Sequence, residues 1–463
     1  MNEFIRTIIE ANAPMSIEQI AREIINDFES SPGYKMMRDA RRYYRNENDI
    51  MKKERYSIIN GEKQVNKNLA NNRISHPFLR DLTDQKVQYL LSNDWSVDDL
   101  KFSEFLTDRN SKIIENVTKD SILYGTGWLF VLVSENEIKI ERKDPLSIIP
   151  VWKDVAHTEL DVVINRYVQI EYVAGQKKEI MYCEWWDKDG VKVYRDNKGS
   201  FTLIEEHSHF QKGERMFNWN RLPFIYLKYN DDETSLLQLI KTMIDAYDKT
   251  VSQTADIMQD STDKIKVISG AEGTDIKELA NNMKNYRIVS VPEGGDLKEV
   301  GSEANVSSSI SQLEQLRKDI YDFGRGVDSN SSMGANASGE ARRYLYAKLD
   351  LDCNQLETGV LEAMEQLIWF LNNAPVPYGI NEDVNIEFSR NMMINTTEII
   401  DNAVKAQGIS GVAKETIVGL LPFVDDPAKE IEKAQKEADS EFERQQSIVN
   451  QLDGINDGVN NEE

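Results

Sequence analysis

The stretch Ser235–Asp263, SLLQLIKTMIDAYDKTVSQTADIMQDSTD, decides how the rest of the chain is read. Advanced at 100° per residue, Leu236, Ile240, Met243, Ile244, Tyr247, Val251 and Met258 fall on one side. Asp245, Asp248, Asp256, Asp260 and Asp263 fall near the other. The spacing predicts a helix about 43 Å long at 1.5 Å per residue, far beyond the usual globular helix. A rod with one sticky stripe packs against copies of itself or against a partner helix.

Downstream, IKVIS (Ile265–Ser269) and RIVSV (Arg287–Val291) read as strands, with DIKELANNMKN (Asp275–Asn285) a helix between them. Helix resumes near Ser308 and runs to Phe323. DSNSSMGANAS (Asp328–Ser338) then breaks the pattern with small polar residues. A helix from Gly339 to Asn373 follows, about 52 Å long, with Gly359 a weak point or bend. The strand EDVNIEFS (Glu382–Ser389) precedes helical segments from Thr397 to Ile448, and the acidic, polar end reads as disordered. Two long helices around a small α/β insert in mid-chain describe a projecting stalk.

Upstream, the first hundred residues read as mainly helical. Ser16 and Gln19 make a capping box, and Tyr34–Tyr44, His76–Asn93 and Phe102–Tyr124 have helical periodicity. From Trp128 to Tyr229, short alternating runs separated by turn clusters such as DKDG and DNKG predict an antiparallel sheet with meander connections. The expected class is α+β, mainly α, in an elongated multi-part subunit.

Composition narrows the function. Apolar residues make up 40% of the 463, enough for real cores, and 79 acidic against 55 basic residues give a net charge of −24. A duplex is a dense line of negative charge, so the bulk surface cannot grip DNA. Two cysteines, Cys183 and Cys353, far apart in sequence, suit a reducing compartment without a disulfide framework. No secretory signal and no run of about 18 apolar residues is found, so a soluble intracellular product with no membrane association is expected.

The motifs fail as catalytic sites. Gly334 and Gly339 have phosphate-loop spacing, but Glu340 and Ala341 stand where that loop needs Lys and Ser/Thr, and a helix rather than a strand precedes it. Tyr124–Phe130, YGTGWLF, runs helix to strand and so is a tight connection rather than a dinucleotide site. His207 and His209 share a strand face without further ligands and read as solvent-facing. Trp185 and Trp186 belong to the sheet core or a subunit interface. No enzyme, metal or cofactor is expected.

The order of these features resembles the portal (connector) proteins of tailed double-stranded-DNA bacteriophages, in the siphophage-type branch with subunits of about this length. The residues carrying the resemblance are YYRNENDI (43–50), NNRISHPFLRDLTDQKVQYLLS (71–92), SILYGTGWLFVLV (121–133) and DPLSIIPVWKD (144–154). They continue with LPFIYLKYNDDETSLLQLIKTMIDAYDKTVS (222–252) and DFGRGVD…GEARRYLYAKLD (322–350). The resemblance implies a ring, normally of twelve subunits, around a tunnel at one capsid vertex. It implies a wing (1–230 and 374–395), stem helices (231–264 and 307–328), a clip (265–306) and a tunnel loop (329–338). A long tunnel helix (339–373), a crown (396–448) and a tail without family counterpart (449–463) complete it. The implied partners are double-stranded DNA in the channel, terminase, a head-completion adaptor, and major capsid and scaffolding proteins.

A conduit should not hold what it conducts, because each phosphate neutralised by Lys or Arg adds a grip that translocation must break. Asp245, Asp248, Asp256 and Asp260 are therefore expected to line the bore; outward-facing or intersubunit positions are the rival. In the loop, Gly334 supplies backbone freedom, while Asn330, Ser331, Ser332, Asn336 and Ser338 offer weak, sequence-blind phosphate contacts. Ser338 is also a natural N-cap, and Arg342 touches DNA or a neighbouring subunit. Glu272, Asp275, Lys277 and Glu278, with Lys284, Glu293 and Asp296, are the implied partner-binding residues of the clip. Another ring-forming virion protein, an adaptor or baseplate component, is the alternative; a nucleotide-driven translocase would need the phosphate loop that is missing.

Overall fold

A computed structural model describes residues 15–59, 62–67, 69–93, 95–134, 137–173, 175–196, 200–261, 265–269, 275, 296–300, 306–328, 339–390, 396–408, 411–419, 421, 424, 427–438, 440 and 444. The chain divides into two compact units, Met1–Asn330 with Tyr346–Asn391, and Ser331–Leu345 with Met392–Glu463.

In the first unit, Ser16 caps α1 (Ile17–Ser30) reciprocally. Its hydroxyl accepts from the Gln19 N–H at 3.4 Å, and the Gln19 side chain accepts from the Ser16 N–H at 3.1 Å. Ser31 closes that helix by donating to the Phe28 carbonyl at 2.6 Å. It also opens α2 (Pro32–Tyr44) by accepting from the Tyr34 N–H at 3.1 Å. A short hairpin, β1 (Tyr56–Ile59) with β2 (Glu62–Val65), interrupts what reads as a helical region. After α3 (Phe78–Leu91) and β3 (Trp95–Val97), the run expected as one helix from Phe102 is two, α4 (Leu100–Phe105) and α5 (Asp108–Tyr124). Leu106 leaves helical geometry, and Thr107 caps the second helix by accepting from the Asn110 N–H.

Helix α5 ends on Gly125, whose φ of 89° suits a residue without Cβ. A Cβ there would also lie 2.0 Å from the Glu233 carbonyl oxygen. The chain then enters β4 (Thr126–Ser134), which pairs with β5 (Glu137–Lys143). An antiparallel meander follows: β6 (Ile148–Trp152), β7 (Leu160–Val173), β8 (Gln176–Asp187), β9 (Gly190–Asp196) and β10 (Phe201–His207). A ribbon of β11 (Phe210–Lys212) and β12 (Arg215–Phe217) leads to β13 (Phe224–Lys228), which pairs with β4. Because side chains alternate along β8, the adjacent tryptophans go to opposite faces. Trp185 packs with Cys183, Ile164 and Tyr194 under Ile24 and Ile25 of α1. Trp186 packs with Trp128, Trp152, Val163 and Phe224 between the two sheets. Burying about 200 Å² of ring is worth about 5 kcal/mol each in transfer terms.

Helix α6 (Leu236–Ser261) leads to β14 (Ile265–Ser269), which pairs antiparallel with β15 (Asp296–Val300), from Ile265 opposite Val300 to Ser269 opposite Asp296. The partner of IKVIS is thus DLKEV. The expected strand at 287–291 and, apart from Asp275, the expected helix at 275–285 lie outside the described residues. Helix α7 (Val306–Phe323) returns against α6. Helix α8 (Gly339–Asn372) is continuous through Gly359. That glycine is not a bend but a contact point: a Cβ there would lie 2.3 Å from the Lys228 carbonyl oxygen. Strand β16 (Ile386–Phe388) pairs with β3. The largest core joins Leu79 and Leu82 of α3, Ile122 of α5, Leu129 of β4, Ile240 and Ile244 of α6, Ile320 of α7 and Leu356, Val360 and Leu367 of α8. The second unit contains α9 (Thr396–Gln407), α10 (Lys414–Val418) and helical residues 427–438, with Ala403 buried.

Candidate functional site

Helix α6 carries the first candidate residues. Its buried row steps by four: Leu236, Ile240, Ile244, Asp248, Ser252, Asp256. That spacing is one ridge of the helix, apolar at its root and polar beyond Ile244. An earlier segment lies against the polar half and satisfies it. The N–H of Asn72 donates to Asp256 at 2.6 Å, that of Ile74 to the Ser252 hydroxyl at 3.0 Å, and that of His76 to Asp248 at 3.1 Å. Asn48 Nδ2 also donates to Asp248 at 2.6 Å, and His76 Nδ1 lies 2.7 Å from it. Asp256 further pairs with the Lys53 ammonium. Burial opposes its charge, but the Lys53 and Asn72 donors outweigh that and hold the carboxyl below the usual range. Nearer the core, Asp245 takes a hydrogen bond from the Tyr43 hydroxyl and pairs with Lys241 at 2.9 Å; Lys241 also reaches Asp49 at 2.6 Å.

This corrects the expectation that these aspartates line the bore. Asp248 is 0% and Asp256 3% exposed, and both are enclosed by residues of their own chain. Asp245, half-buried, is also engaged within the chain. The exposed side of α6 carries Leu239, Thr242, Lys249, Gln253, Ile257 and Met258. The helical projection sorted the side chains but could not show what covered each side. Asp260 belongs to α6, its side chain lying outside those described.

The second set surrounds the chain entering the loop. Of the loop residues, Asn330, Ser331, Ser332, Gly334, Asn336 and Ser338 lie outside the described residues; Arg342 lies in α8 with its side chain undescribed. What precedes them is tightly built. Arg317 of α7 holds Asp328 through two hydrogen bonds of 2.7 Å. The Gln85 side chain both accepts from the Val327 N–H at 2.7 Å and donates to its carbonyl at 2.9 Å. Gly326 has no room for a side chain, since a Cβ would lie 2.2 Å from Leu82 Cδ2.

Beneath this segment lies a buried ion pair that sequence reasoning missed. Lys86 of α3, 0% exposed, donates to Asp352 of α8 at 2.6 Å and to the Arg325 carbonyl at 3.0 Å. Asp352 also accepts from the Tyr229 hydroxyl at 2.7 Å and from the Arg325 guanidinium at 3.1 Å. Burial pushes the Lys86 ammonium below its usual pKa, against the opposing pull of Asp352, and raises the Tyr229 hydroxyl well above its own. Two signals were readable. Lys86 sits in the apolar row Leu82–Leu90, and Asp352 lies beside Leu349, Cys353 and Leu356. A single charge on each of two buried stripes, opposite in sign, is a pair waiting to be matched.

Of the clip candidates, Asp296 opens β15 and Asp275 is exposed. Glu272, Lys277, Glu278, Lys284 and Glu293 lie outside the described residues. His209 is not solvent-facing. Its Nε2 lies 2.8 Å from the Asp187 carbonyl, its Nδ1 accepts from the Trp219 N–H at 3.0 Å, and its ring stacks on Trp186. Among the described residues no group of His, Cys, Asp and Glu is arranged to hold a metal, and no helix is long and apolar enough to cross a membrane.

Two curated proteins align with most of this chain. The portal protein of Bacillus phage SPP1 is 27% identical over 442 residues, 90% of this chain and 86% of that one. The portal protein of Clostridium phage phiCD119 is 28% identical over 427 residues, 86% of this chain and 90% of that one. A solved structure described as the neck of a native GTA particle, computed with C12 symmetry, has 13% identity and a TM-score of 0.42, covering 75% of this chain and 90% of its own. A family model described as phage portal protein, SPP1 Gp6-like, matches residues 31–444, and the chain belongs to that family.

Proposed function

We propose that this chain is the repeating subunit of a ring, of twelve copies in the particle, that forms the channel for packaging and ejecting double-stranded DNA at one capsid vertex. The family match over residues 31–444 carries the reading. The family is one of structural virion components rather than enzymes, so the work of translocation falls to a terminase ATPase docked on the ring. Residues 1–230 and 374–395 act as the wing, α6 and α7 as the stem, 265–306 as the clip, and 396–448 as the crown. Terminase and later a head-completion adaptor meet the clip through Glu272, Asp275, Lys277, Glu278, Lys284, Glu293 and Asp296. Major capsid and scaffolding proteins meet the ring from outside, and the subunit is made in the host bacterial cytoplasm.

The engaged state of Asp245, Asp248 and Asp256 moves the expected DNA contact elsewhere. We assign it to Asn330, Ser331, Ser332, Gly334, Asn336 and Ser338 of the loop, with Arg342 and Asp260 as further candidates. Small neutral side chains suit weak contacts that a moving duplex can break. The Lys86–Asp352 pair supports this division, because it holds the chain entering the loop through Arg325. Electron microscopy of the purified protein is the test. Rings with a central hole of duplex width are expected; a monodisperse monomer at high concentration, or robust intrinsic ATP hydrolysis, would sink the reading.

A further inference from the structure

Two open clefts in the first unit carry charge that the chain leaves uncompensated. One, of about 970 Å³, lies between α2 and the sheet; Lys35, Arg38, Arg41, Arg42, Lys52 and Arg166 line it against Glu29, Asp39 and Asp144. On a chain of net charge −24 a cationic cleft is an exception. The half-buried arginines have acids: Arg41 pairs with Asp144, Arg42 with Asp39 and Asp49, and Arg166 with Glu29. Lys35 and Arg38, both exposed, have no acidic partner among the described residues, yet they stand one helical turn apart on α2, where like charges repel.

The other cleft, of about 820 Å³, lies between β13, the start of β7 and the later part of α8, and acids predominate among its charged residues. Asp161, Asp231, Glu362 and Glu365 have no cationic partner among the described residues. Glu362 and Glu365 are exposed on α8 and again one turn apart. The two pairs thus match in spacing and oppose in sign. They cannot meet within one subunit. Strand β7 lines both clefts, through Leu160–Val162 at one and Arg166–Val168 at the other. Six residues of extended strand separate them by about 20 Å, roughly twice the screening length at 0.1 M salt.

We infer that the clefts are two halves of one subunit–subunit contact, in which Lys35 and Arg38 of one copy sit against Glu362 and Glu365 of the next. Different surfaces of the same chain meet, so the contact is head-to-tail, the kind that builds a ring when the rotation between copies closes. The inference rests on the ring reading above and names the surfaces that build it.

The test is a charge swap read by mass photometry and negative-stain microscopy, with near-ultraviolet circular dichroism reporting the fold. K35E/R38E and E362K/E365K should each lower the assembled fraction by about tenfold or more at a fixed subunit concentration, because like charges then face each other. Raising salt from about 0.05 to 0.5 M should weaken wild-type rings. The chain carrying all four substitutions, or an equal mixture of the two reversed chains, should assemble again. Folded reversal variants that form rings as wild type does would overturn the contact and leave the ring reading standing. So would a four-fold variant that stays folded and dissociated. A wild-type chain that never forms rings overturns both.

Discussion

Replacing Asp352 by Asn keeps the shape of the side chain and removes its charge. Asp352 accepts from Lys86, Tyr229 and Arg325, and an amide can serve at most part of that set. The greater loss falls on Lys86, 0% exposed, whose charge then meets only neutral acceptors, the amide oxygen and the Arg325 carbonyl. Removing one member of a buried ion pair costs about 3–5 kcal/mol, most of it the penalty of an uncompensated buried charge. Replacing both members with apolar residues of similar size, as in K86M/D352L, should cost much less. Urea unfolding followed by tryptophan fluorescence measures both, and the cycle isolates the coupling. The deficit has a pH signature. Without Asp352 the folded-state pKa of Lys86 drops further below the unfolded value of 10.5, so the unfolded chain binds more protons between the two. Stability of D352N therefore rises with pH across that window, and its deficit shrinks from neutral pH towards 10.5. A D352N protein as stable as wild type, or a double variant as damaged as the two singles summed, would refute the reasoning.

Ser252→Ala removes the acceptor of the part-buried Ile74 N–H, at about 1 kcal/mol, so amide exchange at residues 72–76 should accelerate several-fold. Asp256, whose folded pKa is depressed, contributes stability above its unfolded value and loses it as pH falls through the folded one; protease susceptibility of residues 53–67 should rise below about pH 4 in wild type and be raised at neutral pH in Asp256→Ala. Gly326→Ala should cost about 1–3 kcal/mol by overpacking Leu82, whereas Gly33→Ala, with its nearest neighbour at 3.9 Å, should be close to neutral in the same unfolding assay. Cys183 and Cys353, both buried and with thiol pKa pushed up to about 12, should resist maleimide at pH 8 in the native protein and react fully in denaturant.

Much of the fold was legible because local rules spoke clearly. The capping box at Ser16, the alternation through β6–β10 and the long periodic stretches of α6 and α8 each specify an element without outside help. What failed was whatever depends on a distant partner. The β1–β2 hairpin lies in a charged stretch whose placement rests on Lys53 reaching Asp256. Gly359 reads as a helix breaker in isolation, yet it is the place where the Lys228 carbonyl approaches α8. Asp248 and Asp256 read as lining a bore for the same reason. Periodicity reports which residues share a side, whereas their partners come from a stretch about 180 residues earlier in the chain.

The geometry of that stretch explains why a polar ridge was worth keeping. Four residues of α-helix rise about 6.0 Å, and two residues of extended chain about 6.6 Å. Asp256, Ser252 and Asp248 stand at four-residue steps, and the N–H groups of Asn72, Ile74 and His76 meet them at two-residue steps in the opposite direction. The segment therefore runs antiparallel to α6 with every second N–H turned to the helix. A slip of one residue would turn those backbone donors away from two buried carboxylates. An apolar ridge such as Leu236–Ile240–Ile244 would tolerate a slip by trading one methyl contact for another. Buried charge is a weak source of net stability, but it discriminates strongly between registers. On a helix that reaches far from its root, register is what apolar packing alone would specify least well.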